Sequence, residues 1–174
     1  MTEVSDRAPD ATASVVGTGK AGGAPAYADV IDTVLGDRAA GVRELRQARP
    51  PVVEHTQGVF EALLDGPATA VLGRERVIAA AVAVAELAGA PELAAHYAGL
   101  GTVPAAGDAV LAAILKHAAQ VSTAPATVTR ADIDALGAAG LTAADIVTVA
   151  QLIGYVHFQA RLLAGLTLIG AAHE

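Results

Sequence analysis

The sequence predicts an all-α protein, a single helical domain of seven or eight helices. Three observations carry this. Apolar residues recur three and four positions apart along most of the chain, and no stretch alternates apolar with polar residues for the length of a strand. Asp, Thr or Pro opens the apolar runs, and Gly or Pro closes them. The 174 residues are enough to bury a core without disulfides or a structural metal, and they contain no fixed-period repeat and no Gly-rich phosphate loop.

Residues 1–24 are rich in Ala, Gly, Thr, Ser and Pro with no sustained period, so a disordered tail is expected there and the folded domain over 25–174. A short helix through Asp29 to Leu35 should stop at Gly36, with Asp37 capping the next. That second helix should turn Val42 and Leu45 inward and Arg43, Arg46 and Arg49 outward, and Pro50-Pro51 should end it. Val52 to Leu64 predicts a helix with Val52, His55, Val59, Phe60, Leu63 and Leu64 along its inner side. Asp65 to Gly73 is expected to be a loop, with Gly66-Pro67 as its turn.

Arg74 to Leu100 predicts two helices broken at Gly89-Ala90-Pro91. The first is almost free of charge between Val77 and Ala85, and its alanines let neighbouring backbones approach closely. Pro91 suits the first turn of the second, where its missing N–H leaves nothing unpaired. After a loop at 101–107, Asp108 should cap a helix that ends near Val121, with Lys116 and His117 solvated or at an interface. Thr129 with Asp132, and Thr142 with Asp145, resemble capping boxes with Asp in place of Glu. The first opens a short helix stopped by Gly137 or Gly140. The second opens the longest helix, apolar over so much of its girth that its own domain and a neighbouring subunit should cover it.

Composition narrows function. Hydrophobic residues make up 53% of the chain and charged residues 17%, more apolar surface than a chain of this size hides alone, so a homo-oligomer is expected. A net charge of −7 and 3% aromatics supply neither a basic stripe nor a stacking platform for nucleic acid. The start MTEVSDRAPD lacks a basic segment followed by an apolar one, which predicts a cytoplasmic protein. Glu86 interrupts one long apolar run, and Gln151, His157, Gln159 and Arg161 the other, unlike a membrane span. The chain has no Cys, which removes thiolate chemistry and sulfur-ligated zinc.

Two groups of residues could carry chemistry. Glu92 and His96 stand four apart on one helix face, so the carboxylate could hold the imidazole's tautomer while His96 serves as acid or base. On the last helix His157 and Arg161 share a face, near Gln159. An Arg in so apolar a helix needs an anionic or carbonyl partner, for which Glu86 or Glu92 is a candidate; the group is read as a buried structural ion pair or a subunit contact, ahead of an anion site. His55 is read as hydrogen-bonded to backbone or as a site residue. The His spacing predicts no metal site, and no cofactor is predicted.

Around the central helix pair the sequence resembles the alkylhydroperoxidase D-like and carboxymuconolactone decarboxylase superfamily of small helical oligomers. Glu75-Arg76 followed by Ile78-Ala79 is similar to that family's helix start, and AGLTAADIVTVAQLIGYVHFQARLLAGL to the closing helices of its peroxidase-related members. The thiol-peroxidase members carry a Glu, a Cys-x-x-Cys twelve residues later and a His four residues after the second Cys. Counted without gaps, those positions here hold Val77, Gly89, Glu92 and His96. The resemblance implies the alkylhydroperoxidase D-like fold without peroxidase activity, and a companion role beside a Cys-bearing relative. Its decarboxylase branch implies an alternative, a cofactor-free lyase or isomerase acting through His96 on a small carboxylated or lactone substrate. A structural or small-ligand-binding module is the third reading.

Overall fold

The computed structural model describes residues 29–172 apart from 103 and 105; the expected tail lies outside them. The described residues are helical, with no strand. Seven helices have eight residues or more: α2 (Ala39–Gln47), α3 (Pro50–Leu64), α5 (Arg74–Leu87), α6 (Pro91–Ala98), α7 (Ala109–Thr123), α8 (Arg130–Ala138) and α9 (Ala143–Ala171). Two shorter helices, α1 (Val30–Leu35) and α4 (Pro67–Leu72), complete the set.

The α5–α6 pair is the centre. α5 packs on α6, α7 and α9, and Ala80, Ala81, Val84 and Ala85 are almost wholly buried. Side chains this small let the helices approach closely, while Val84, Leu93 and Tyr97 fill the space between them. Gly89, at φ +70°, ends α5: its N–H donates to the Glu86 carbonyl at 3.0 Å, and that of Ala90 to the Ala85 carbonyl at 2.9 Å. These paired bonds satisfy carbonyls that the helix end leaves open, and a positive φ favours glycine. Pro91 then starts α6. Arg76 Nε donates to Asp108 Oδ2 at 2.6 Å, while Asp108 Oδ1 accepts the Leu111 N–H at 3.0 Å, so one carboxylate caps α7 and ties it to α5.

Both capping boxes form. The Thr129 N–H donates to Asp132 and the Thr142 N–H to Asp145, each at 2.8 Å. α8 stops at Gly140, φ +105°. At 29 residues α9 is long and apolar enough to cross a bilayer by length and composition alone; here it packs against α1, α2, α3, α4, α5, α7 and α8.

Several expectations need correcting. Asp37 caps nothing; Gly36–Arg38 forms a single 3-10 turn leading into α2. Residues 67–72, expected as loop, form α4, because Pro67 occupies a first helical turn and Gly73, φ +88°, closes it. In α2 the expected faces are exchanged at two positions: Leu45 is 52% exposed, whereas the Arg46 side chain is buried. Arg46 lies one turn beyond the buried Val42 and meets Asp29, the N-cap of α1, together with Asp32. In α3 the inner side runs through Val53, Thr56, Gln57, Phe60, Leu63 and Leu64, leaving Val52, His55 and Val59 outward. The polar groups facing inward have partners: the Thr56 carbonyl accepts from Tyr155 Oη at 2.8 Å, and Gln57 Oε1 accepts the Val30 N–H at 3.3 Å. His117, expected at the surface, is buried.

Candidate functional site

His96 projects from α6 half-buried, 6.3 Å from the Phe60 ring and 5.9 Å from that of Tyr97, centre to centre. Its Nε2 is buried and has no hydrogen-bond partner among the described residues. Burial holds the imidazole below its ordinary pKa, so the neutral ring is favoured near neutral pH. Glu92 does not reach it. That carboxylate is largely exposed and pairs with Arg38 at the foot of α2. A cleft of about 470 Å³ beside Pro91, between α6 and α9, takes in Glu92 and Leu93 but not His96. The two residues that share a helix face therefore have different surroundings.

Beneath His96, three side chains and a backbone carbonyl form a chain of hydrogen bonds. Tyr97 Oη donates to Gln159 Oε1 at 2.5 Å, Gln159 Nε2 donates to Tyr155 Oη at 3.1 Å, and Tyr155 Oη donates to the Thr56 carbonyl. Tyr97 and Gln159 are fully buried. Burial, with the neighbouring Tyr155, raises the Tyr97 phenol far above its usual range; burial, with the Asp29 carboxylate, raises Tyr155. Both stay protonated, and the chain locks α6, α9 and α3 together. Gln159 falls in the apolar stripe of α9 with Tyr155 and Val156, as its three- and four-residue spacing from them predicts, and so lies on the inward face opposite His157 and Arg161. A lone amide among the apolar positions of that helix was the available signal.

His157 and Arg161 do come together, at a second place. A cleft of about 320 Å³ between α7 and α9 is lined by His117, Val121, Ser122, Ile153, His157 and Arg161, among others. His157 Nε2 lies 2.8 Å from Ser122 Oγ. Burial, and then the Arg161 charge, lower the His157 pKa. Burial lowers His117 as well, partly offset by the Asp132 carboxylate, and its Nδ1 is buried with no partner among the described residues. A buried polar atom left unpaired costs about 1–3 kcal/mol, so such atoms are uncommon. Arg161 makes no ion pair among the described residues, neither with Glu92 nor with the exposed Glu86. It also borders an apolar cleft of about 420 Å³ between α2, α3 and α9, whose lining includes the exposed Leu45, Val52 and Ile169.

Sequence reasoning picked out His157 and Arg161 but left Ser122 and His117 aside, because only the packing of α7 on α9 brings those helices together. Among the described residues, no three His, Asp or Glu side chains converge as metal ligands. No family model matches the chain, and neither a curated protein nor a solved structure matches it.

Proposed function

We propose that this chain is a thiol-free protein of the alkylhydroperoxidase D-like and carboxymuconolactone decarboxylase type, oligomeric, without peroxidase activity, and a companion of a Cys-bearing relative. The observation that carries the reading is the state of the α5–α6 junction. Thiol peroxidation needs one sulfur to be oxidised and a second to resolve it, and the chain contains no cysteine. Of the positions that would hold the peroxidatic groups, Val77 is buried in the core, Gly89 occupies a positive φ that disfavours any side chain, and Glu92 is paired with Arg38. Restoring cysteines at 89 and 92 would therefore also require a different helix end.

Support for the oligomeric part comes from the apolar cleft of α2, α3 and α9. Leu45, Val52 and Ile169 are each more than 40% exposed there. Apolar side chains gathered in this way are characteristic of subunit contacts.

The lyase alternative draws support from the buried, unpaired Nε2 of His96, a group able to take a proton. It lacks the Glu92 partner that would tune the ring, so the thiol-free reading is preferred.

The test is peroxide consumption by the purified chain with a dithiol reductant, alone and mixed with a Cys-bearing relative. The isolated chain should show no turnover above the buffer rate and should co-elute with the relative. Turnover by the chain alone would overturn the first part, and separate elution the companion role.

A further inference from the structure

The α7–α9 cleft gathers groups that suit a negatively charged ligand. Arg161 borders it with no carboxylate partner among the described residues, His157 Nε2 and Ser122 Oγ lie within hydrogen-bond reach of one another in its wall at 2.8 Å, and His117 contributes to the lining. Among the described residues no Asp or Glu lines the cleft, although the chain has 18 acidic residues against 11 Lys and Arg. His117 lies between this cleft and a second one beside Lys116, Gln120 and Asp132, and its buried Nδ1 has no partner among the described residues.

The space itself is maintained by small residues. Ala150 and Gly154 lie one turn apart on the cleft side of α9, and a Cβ built on Gly154 would meet nothing within 4 Å. Glycine is a weak helix former, so its place in the middle of the longest helix has a local cost and leaves the cleft open. Val121, Pro125 and Ile153 make the remaining surface apolar. A bare inorganic anion would leave that surface unused, whereas a molecule with one anionic end and an apolar body would cover it. A volume of about 320 Å³ is at the small end of ligand pockets.

We propose that the α7–α9 cleft binds a small organic carboxylate, its anionic end held by Arg161 with His157 and its apolar body against Val121, Pro125 and Ile153. The guanidinium presents parallel N–H donors that match a carboxylate, and charge-assisted bonds of this kind are among the stronger ones. The proposal is independent of whether the chain has a peroxidase relative, since none of these residues belongs to the α5–α6 junction.

The experiment is calorimetric titration of the full chain with benzoate, and with acetate and inorganic phosphate, at constant ionic strength. Benzoate should bind at one site and more tightly than acetate. Arg161→Gln should weaken benzoate about tenfold or more. Gly154→Leu, which fills the cleft, should abolish binding with helix content retained by circular dichroism, and Arg43→Gln, on an exposed face of α2, should bind as the parent does. Absence of saturable benzoate binding, unchanged affinity in Arg161→Gln, or tighter binding of phosphate than of benzoate would each overturn the proposal. If Gly154→Leu fails to fold, the Arg161→Gln comparison decides.

Discussion

Tyr97 on α6 donates a 2.5 Å hydrogen bond to Gln159 on α9, with both side chains wholly out of water. Gln159 passes the connection on to Tyr155 and so to the Thr56 backbone of α3. Each member has a partner within the chain, and removing one strands the next.

Tyr97→Phe should therefore destabilise the fold by about 1–3 kcal/mol, because it leaves Gln159 Oε1 buried without a donor. The double variant Tyr97→Phe with Gln159→Leu should cost less than the sum of the two singles, since neither partner is then left waiting. Urea unfolding at fixed protein concentration measures this. Strict additivity would mean that the pair is not coupled.

Arg46 bridges Asp29 and Asp32, and both its side chain and that of Asp29 are almost entirely buried. Loss of the guanidinium in Arg46→Ala leaves the Asp29 carboxylate uncompensated, at a cost of about 3 kcal/mol. Arg46→Lys should recover only part of this, because an ammonium cannot span two carboxylates as a planar fork does. Equal stability of the Ala and Lys variants would show that charge geometry plays no part.

Two glycines should respond in opposite directions to alanine. A Cβ on Gly66 would fall 2.1 Å from the Ala62 carbonyl oxygen, a backbone atom that cannot step aside, so Gly66→Ala should cost about 2 kcal/mol or more. Gly154→Ala meets no atom and gains helix propensity, which should stabilise by about 0.5–1 kcal/mol. Thermal unfolding of the two variants side by side is the check.

Burial lowers the pKa of His96, His117 and His157 in the folded chain. The unfolded chain then binds more protons between those lowered values and about 6.5, so stability is complete above about pH 6.5 and declines as the pH falls below it. Asp108 and Asp132 are held below the usual carboxylate range, by hydrogen bonds from Arg76 and Thr129 respectively, so the stability they contribute is present above about pH 4 and is lost only as the pH falls below it. The urea midpoint should therefore fall between about pH 7.5 and 5.5, and less so in His117→Gln. A midpoint that does not move over that interval would contradict the linkage.

If the exposed apolar cleft is a subunit contact, Leu45→Glu and Ile169→Glu should lower the oligomeric mass seen by light scattering while leaving helix content unchanged. Retention of the parent mass in both variants would place the contact elsewhere.

Local sequence was sufficient for the all-helical class and for most helix ends. Thr129 with Asp132, Thr142 with Asp145, Pro91 and Gly36 act within a few residues of themselves, and each does in the structure what its chemistry implies. Which side of a helix faces inward was less legible. In α3 hydropathy favoured Val52, His55 and Val59, while the true inner side includes Thr56, whose carbonyl accepts from Tyr155 of α9, and Gln57, whose Oε1 accepts from Val30 of α1. In α2 the sequence showed a cation at position 46 but could not show that two carboxylates of α1 would lie against it.

The same distinction governs the candidate site. Glu92 and His96 are neighbours by helical spacing, a property of the sequence alone, yet Arg38 of the preceding 3-10 turn takes the carboxylate and Phe60 of α3 flanks the imidazole. His117 and Ser122 join His157 and Arg161 only because α7 packs on α9. By itself the sequence determined the helical class, most helix caps and the absence of a thiol, because these depend on residue type and short spacing. Tertiary structure decided the buried hydrogen-bond chain, the inward Arg46 and the α7–α9 cleft, because each depends on surfaces that meet only after distant segments pack.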